Sequence, residues 1–393
     1  MFNENLLEDR LRDWGGEAPY MPVIKVVGLG GGGSNAVDRM IDFGLYGVEF
    51  IIANTDRQAM AFSQAPVKLQ LGPELTRGLG AGGDPRVGEA AALESKGDIA
   101  MALEGADMVF LTAGMGGGTG TGSIPVVAEI AKEMDIITVA VVTKPFGFEV
   151  GGRQSNAADG LMKLQPHVNT LITIPNERLL QTVSEKATLS EAFHLADDVL
   201  RQAVQSITEL ITQPGVINVD FAHIERVMKL GGGALMSIGQ ASGENKALTA
   251  IKQSLYHPLL EDISLANASG LIVNFTSGKD LTLMDIGQAL NYLQEQIPPD
   301  AELIFGTTQN DHFDGRVQVN LIVTGLGATT FEDVFSSFTR PEREQPEPVH
   351  RKPIPEKTAS EDEPGQRIEM GSDPLDVPAF MRRRAYARTD FRK

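Results

Sequence analysis

A chain of 393 residues exceeds what one ordinary hydrophobic core serves, so two domains plus extra segments are expected. Its apolar fraction of 42% and charged fraction of 22% are those of a globular protein, and the absence of cysteine excludes disulfides and a thiolate zinc site. A formal charge of −18 argues against nonspecific nucleic-acid binding, although backbone amides can still hold an anion locally.

Residues 1–21 read as a flexible N-terminal extension; the opening MFNENLLEDRLRD is acidic and lacks the apolar core of a secretory signal. The longest apolar stretches, such as Ile136 to Val142, are too short to span a membrane, so a cytoplasmic protein without a transmembrane segment is expected. From Pro22 onward, strand and helix signals alternate. Short Val- and Ile-rich runs predict buried strands over Val23–Val27, Glu49–Ala53, Val67–Leu71, Asp107–Thr112, Ile137–Thr143 and Thr170–Ile174. Helical text lies between them over Asn35–Phe43, Pro85–Leu103, Ile124–Lys132 and Gln154–Leu164. This alternation predicts a doubly wound α/β domain, whose ligand sits at the carboxyl ends of the strands.

A long amphipathic helix follows from Ser190 to Ile211, with Phe193, Ala196, Leu200, Ala203, Val204 and Ile207 at helical spacing. Gln213-Pro-Gly215 stops it. A smaller α/β or α+β domain is expected next, with strands over Leu271–Phe275, Glu302–Phe305 and Val317–Thr324 and helices over Glu244–Tyr256 and Asp280–Glu295. The segment Pro341 to Pro364 carries six prolines among charged residues and reads as a disordered linker. It leads to an apolar patch, Pro374-Leu-Asp-Val-Pro-Ala-Phe-Met381, and a basic end. The expected boundaries are 22–188, 189–213, 214–329, 330–371 and 372–393.

Two glycine loops stand out. Val27-Gly-Leu-Gly-Gly-Gly-Gly-Ser-Asn35 follows the first strand and satisfies GxGxxG through Gly28, Gly30 and Gly33, with Asp56 near the distance of a ribose-binding acid. Alone, it would suit a dinucleotide oxidoreductase. The second loop, GMGGGTGTG from Gly114 to Gly122, has six glycines in nine residues. That density suits a phosphate chain, on which many N–H groups must converge without Cβ atoms in the way. Thr119 and Thr121 add hydroxyls. No lysine is present, so this is not a Walker A motif.

These two loops resemble those of the tubulin/FtsZ family of GTPases. Ala53-Asn-Thr-Asp56, Gly78-Leu-Gly-Ala-Gly82, Thr143-Lys-Pro-Phe146, Ile172-Thr-Ile-Pro-Asn176 and Pro214 to Ala222 match in family order. The tail LDVPAFMRRR resembles the C-terminal peptide of the FtsZ branch rather than tubulin. The resemblance implies a bacterial division-ring protein that binds GTP and GDP, with Mg2+ nearby, K+ as a second candidate cation, and no protein metal ligands assigned. It implies that Gly31, Gly32, Gly116, Gly117, Gly118, Thr119 and Gly120 hold phosphates and that Gly82 and Gly83 approach the γ-phosphate. Glu149 and Arg153 would lie near ribose and phosphates, and guanine would stack near Phe193. Asn35 and Asp198 would bond its edge, with Asn176 close by. A carboxylate can accept from both N1–H and the 2-amino group, which adenine lacks. On the residues alone, Phe193 and Asp198 read as a core aromatic and a solvated acid.

The resemblance also implies head-to-tail homopolymers, in which Asn218, Asp220 and His223 of one copy enter the nucleotide pocket of the next. Leu375–Arg383 would dock on a membrane-tethering adaptor such as an FtsA-like protein, placing filaments at midcell near the inner membrane face. The family usually reads N-x-D-F-A-D, whereas this chain ends the motif in His223. A neutral imidazole can still orient water but holds a cation less well. Slower, more pH-dependent hydrolysis is therefore expected. The alternatives are a GTP-bound scaffold with little turnover, or a His223 with no catalytic role. Asp84 stands where Asn is frequent; it would repel a γ-phosphate unless paired, or else it caps a helix before Pro85. Asp197 beside Asp198 is a milder variation.

Overall fold

The computed structural model describes residues 21–149, 151–182, 187–212, 217, 219–260 and 265–326. Asn218, the linker, the C-terminal peptide and all of the N-terminal extension but Met21 lie outside the described residues. Strand β1 (Ile24–Leu29) is buried throughout and runs directly into helix α1 (Gly30–Asp42). After it come β2 (Glu49–Asn54), α2 (Arg57–Phe62), β3 (Val67–Gln70) and the single turn α3 (Pro73–Thr76). The helix expected over Pro85–Leu103 is two helices, α4 (Pro85–Glu94) and α5 (Lys96–Leu103). Ser95 breaks it with φ −96° and ψ 18°, and its hydroxyl accepts a hydrogen bond from the Gly72 N–H at 3.0 Å. The half closes with β4 (Met108–Gly114), α6 (Thr119–Glu133), β5 (Ile137–Lys144), α7 (Arg153–Leu164), β6 (Thr170–Pro175) and the turn α8 (Asn176–Leu179).

These six strands are parallel in the order β3-β2-β1-β4-β5-β6. The order reverses between β1 and β4. A crevice opens outside the carboxyl ends of strands at such a switch point, and both glycine loops follow those two strands.

Next come α9 (Leu189–Thr212), α10 (Phe221–Lys229), β7 (Gly233–Ser242), α11 (Lys246–Leu255), β8 (Gly270–Ser277), α12 (Leu283–Gln294), β9 (Glu302–Gln309) and β10 (Arg316–Leu326). The sheet does not stop between the halves. β6 pairs with β7 in parallel through Leu171↔Gly233 and Ile172↔Ala234, and the order continues β7-β10-β8-β9. β10 is antiparallel to both of its neighbours, which makes the ten-stranded sheet mixed.

Helix α9 lies on one face of this sheet and spans about 36 Å at ~1.5 Å per residue. Its buried Val199, Leu200, Ala203, Val204 and Ile207 share one core with Val26, Phe110 and Val141 of the first half and with Met236, Ile272 and Ile322 of the second. The opposite face has two separate cores, one under α6 and one under α11 and α12. Polar contacts fix α9 along β10: the Asn320 amide donates to Ser206 Oγ at 2.6 Å and the Gln318 amide to Gln202 Oε1 at 3.0 Å.

Sequence pattern does not announce β7. Gly233-Ala-Leu-Met-Ser-Ile-Gly-Gln-Ala-Ser has no clean alternation, and interior glycine weakens a strand signal. The reason is packing: a Cβ on Gly239 would sit 1.9 Å from the Ala250 carbonyl oxygen of α11. We expect Gly239→Ala to force α11 off the sheet and to destabilise the fold by about 1–3 kcal/mol or more, read as a lower urea midpoint.

Candidate functional site

The first glycine loop is itself the first turn of α1, and the second runs through the turn Met115–Gly118 into the first turn of α6. Helix starts expected at Asn35 and Ile124 lie at Gly30 and Thr119. Neither N-cap, Leu29 or Gly118, makes a side-chain cap hydrogen bond. The first N–H groups of a helix have no intrahelical partner, and the dipole there favours an anion. Two such ends meet at the switch point: a Cβ on Gly30 would lie 2.7 Å from Gly120 N, and one on Gly32 would lie 3.1 Å from Gly114 N.

Packing explains glycine at Gly30 and also at Gly118, whose Cβ would strike Asp84 N at 2.9 Å. It does not explain Gly31 and Gly117, because a Cβ at either would meet no atom within 4 Å. Bare backbone facing open space permits close approach of a ligand, here a phosphate chain. Gly82 and Gly83 border the same region just before α4; both have positive φ, 62° and 83°, and open space beyond them. Gly116 (φ 99°) turns the chain, and its N–H donates to Thr121 Oγ1 at 2.8 Å. Thr119 Oγ1 pairs with Thr55 Oγ1 at 2.6 Å, a link the sequence reading missed although the Ala53-Asn-Thr-Asp56 match had placed Thr55 there.

The loop after β5 carries the next group. Glu149 accepts from the Phe146 N–H at 2.9 Å and from Arg153 at 2.5 Å. Phe146 is buried, stacks on Phe148 at 5.0 Å and meets Phe193 of α9 edge-on at 5.4 Å. Phe193 keeps 37% of its surface exposed, so it is an aromatic with a free flank rather than a core residue. Asn176, directly after β6, is buried with Oδ1 unpartnered, a costly state that a ligand donor would relieve. Asn35 is exposed on α1. Asp198 is half-buried, and accepts from Arg201 Nε at 2.7 Å and from the Gln202 amide at 2.7 Å. It is therefore not the freely solvated acid that its position alone suggested.

Three acids need separate statements. Asp84 caps α4, accepting from the Arg86 N–H at 2.9 Å and from its guanidinium at 2.7 Å; those hydrogen bonds hold its carboxyl below the ordinary range. The helix-cap reading therefore holds, with the charge paired. Asp56 caps α2, its Oδ1 accepting from Gln58 N and Ala59 N. Asp197 is 15% exposed, and burial pushes its carboxyl up to about 6, although Arg39 Nε lies 3.3 Å away.

Asp220 and His223 sit elsewhere. Asp220 is the N-cap residue of α10 and its side chain is 87% exposed; His223 is 54% exposed with Nδ1 4.0 Å from Asp220 Oδ2. Helix α10 lies against the start of β6, since Thr170 Oγ1 donates to the Met228 carbonyl at 2.8 Å, and it leads into β7 where that strand pairs with the start of β6. The phosphate cradle lies at the carboxyl ends of the parallel strands. Helix α9 separates the two groups. Phe193 in its first turns meets Phe146. Thr212 at its other end, roughly 28 Å away at ~1.5 Å per residue, lies against Gly47 just ahead of β2 at the amino ends of the strands. Asp220 and His223 follow that end in the chain.

Among the described residues, no cluster of three or more His, Cys, Asp or Glu forms a metal cage. A hard cation would arrive with the nucleotide, held by phosphate oxygens and water. Among the same residues, no helix is long and apolar enough to cross a membrane.

A family model for the tubulin/FtsZ family GTPase domain matches residues 23–184, and one for the FtsZ family C-terminal domain matches residues 232–327. The cell division protein FtsZ of Rickettsia felis is 44% identical over 361 residues, covering 90% of this chain and 80% of its own. The chain belongs to the FtsZ family. The cell division protein FtsZ of Rickettsia conorii is 49% identical over 308 residues, 78% of this chain and 68% of that one. Among solved structures, the empty FtsZ dimer of M. jannaschii superposes with a TM-score of 0.76 at 41% identity, covering 83% of this chain and 93% of the other. Membership accounts for a GTPase domain and guanine nucleotide binding.

The open glycines give a clean test of the cradle in this FtsZ-family chain. Gly31→Ala and Gly117→Ala add a methyl group that touches no protein atom, so thermal unfolding of the nucleotide-free chain should not fall. Nucleotide affinity should drop about tenfold or more, measured by equilibrium binding of GDP.

Proposed function

We propose that this chain binds GTP across its β1–β4 crevice, polymerises head to tail, and hydrolyses GTP only where two copies meet. Family membership makes it a GTP-dependent cytoskeletal protein of cell division with GTPase activity. The observation that carries the assembly step is the separation of the cradle from Asp220 and His223 by the length of α9. A rigid part holding half a site at each end completes that site only by stacking, and a heterologous contact of this kind builds open filaments. The M. jannaschii FtsZ dimer is a relative with two copies in one structure, which supports the reading.

In the proposed pocket, the N–H groups of Gly31, Gly32, Gly117, Gly118, Thr119 and Gly120 hold the phosphates. Gly116, whose own N–H is given to Thr121, turns the chain around them, and Gly82 and Gly83 lie beside the γ-phosphate. Glu149 and Arg153 flank the ribose and phosphates. Phe193 stacks on the guanine, while Asn35 and Asp198 read its polar edge, with Asn176 close by. Mg2+, with K+ as a second candidate, neutralises phosphate charge. The next copy contributes Asn218, Asp220 and His223. Asp220 is exposed and accepts hydrogen bonds from an attacking water; the neutral imidazole of His223 accepts another. The protein works in the cytoplasm at the division ring, attached near the membrane through Leu375–Arg383 and an FtsA-like adaptor.

His223 generates the sharpest prediction. His223→Asp, which places an acid at the end of the motif, should raise turnover, measured as phosphate release against protein concentration alongside pelleting. Equal turnover in the native chain and in His223→Asp removes His223 from the chemistry. Pelleting with GTP but phosphate release only in His223→Asp favours the second reading, a stable GTP-bound scaffold.

A further inference from the structure

Helix α4 is seated on the phosphate cradle backbone against backbone. A Cβ on Gly88 would lie 2.3 Å from the Gly118 carbonyl oxygen, and one on Gly122 would lie 2.0 Å from that of Pro85. Contacts this close leave α4 no room to slide along the start of α6. Arg86 stands between Pro85 and Gly88, so main-chain packing fixes its place relative to the cradle.

Its side chain is held as well. Arg86 Nε donates to Asp84 Oδ1 at 3.1 Å and Nη2 to Asp84 Oδ2 at 2.7 Å, a fork on one carboxylate. Asp84 is itself anchored, because it caps α4. It follows Gly83 directly in the chain, so the fork turns the guanidinium back toward Gly82 and Gly83. A guanidinium carries several more N–H groups than this fork uses, and the Arg86 side chain remains 88% exposed. Gly82, Gly83, Asp84 and Arg86 line one cavity of about 700 Å³ between α4 and α7. Lys163 of α7 lines it too, but its ammonium bridges to Glu89 at 2.7 Å, a turn further along α4.

We propose that Arg86 reads the γ-phosphate: oriented by Asp84, its remaining N–H groups donate to the terminal phosphate and give this chain a preference for GTP over GDP. The proposal deepens the reading above and rests on the placement of the γ-phosphate beside Gly82 and Gly83. A planar guanidinium suits phosphate oxygens, and GDP offers none at that place. Asp84 is the positioning residue. Left unpaired, its carboxylate would repel the γ-phosphate; paired, it aims the cation that attracts it. Because Arg86 is exposed, solvent and salt limit the preference to a modest factor.

The test is equilibrium binding of GDP and of the β,γ-methylene analogue of GTP to the full chain, at concentrations that do not pellet. Arg86→Gln is expected to weaken the triphosphate about fivefold and to leave GDP unchanged, which also shows that the variant folds. Asp84→Asn keeps a capping side chain for α4 without the charge. Adding Arg86→Gln to Asp84→Asn should still lower the preference for the triphosphate. If it does not, Arg86 only neutralises Asp84 and the proposal is overturned. An equal loss of both nucleotides in Arg86→Gln, or no loss of either, overturns it too. If the native chain binds neither nucleotide, the cradle itself fails, a result distinct from a missing preference in a chain that binds both.

Discussion

Burial of α9 against one face of a single continuous sheet is the constraint on which the rest of the molecule depends. The helix shares one core with strands from both halves, and hydrogen bonds from Gln318 and Asn320 fix it along β10. Its first turns carry Phe193 and Asp198 to the nucleotide crevice. Beyond its far end, the chain continues to Asp220 and His223. A helix packed to this extent cannot bend or slide cheaply, because interiors are close-packed and respond to displacement as a unit. The spacing between the two half-sites is therefore a rigid dimension of the subunit.

The proposed phosphate cradle would use almost no side-chain chemistry. Two helices begin on adjacent strands of the switch point with uncapped N-termini, and glycine allows those ends to touch each other. The charge complement comes from backbone dipoles, which explains how a chain with net charge −18 holds an anion. Acids near the cradle are kept from opposing it. Asp84 is paired with Arg86, and Glu149 with Arg153. At the other end of the crevice, side chains of α1 and α9 converge, with Arg39 on Asp197 and Arg201 over Phe43.

Family membership accounts for the reaction class. The residues singled out as variations sit in different surroundings: Asp84 is absorbed by local capping, His223 is exposed at the start of α10, and Asp197 is mostly buried between α1 and α9, beside Arg39.

Much of this was legible in the sequence because the signals are local. Val- and Ile-rich runs mark β1 to β6, the unbroken apolar spacing of Phe193 to Ile207 marks α9, and the glycine density at Gly114–Gly122 marks a phosphate cradle. Signals that depend on distant partners were not legible. β7 carries no alternation because Gly239 must admit the backbone of α11. The break at Ser95 depends on an N–H donated from Gly72. The helix starts at Gly30 and Thr119 were hidden because glycine opposes helix unless tertiary packing holds it there. The sequence by itself determined the glycine-rich segments, the long helix and the residues around Asp220 and His223. Only the tertiary structure decided that the glycine-rich segments meet at the switch point and that α9 stands between them and Asp220 and His223, because strand order and helix packing are set by contacts between residues far apart in the chain.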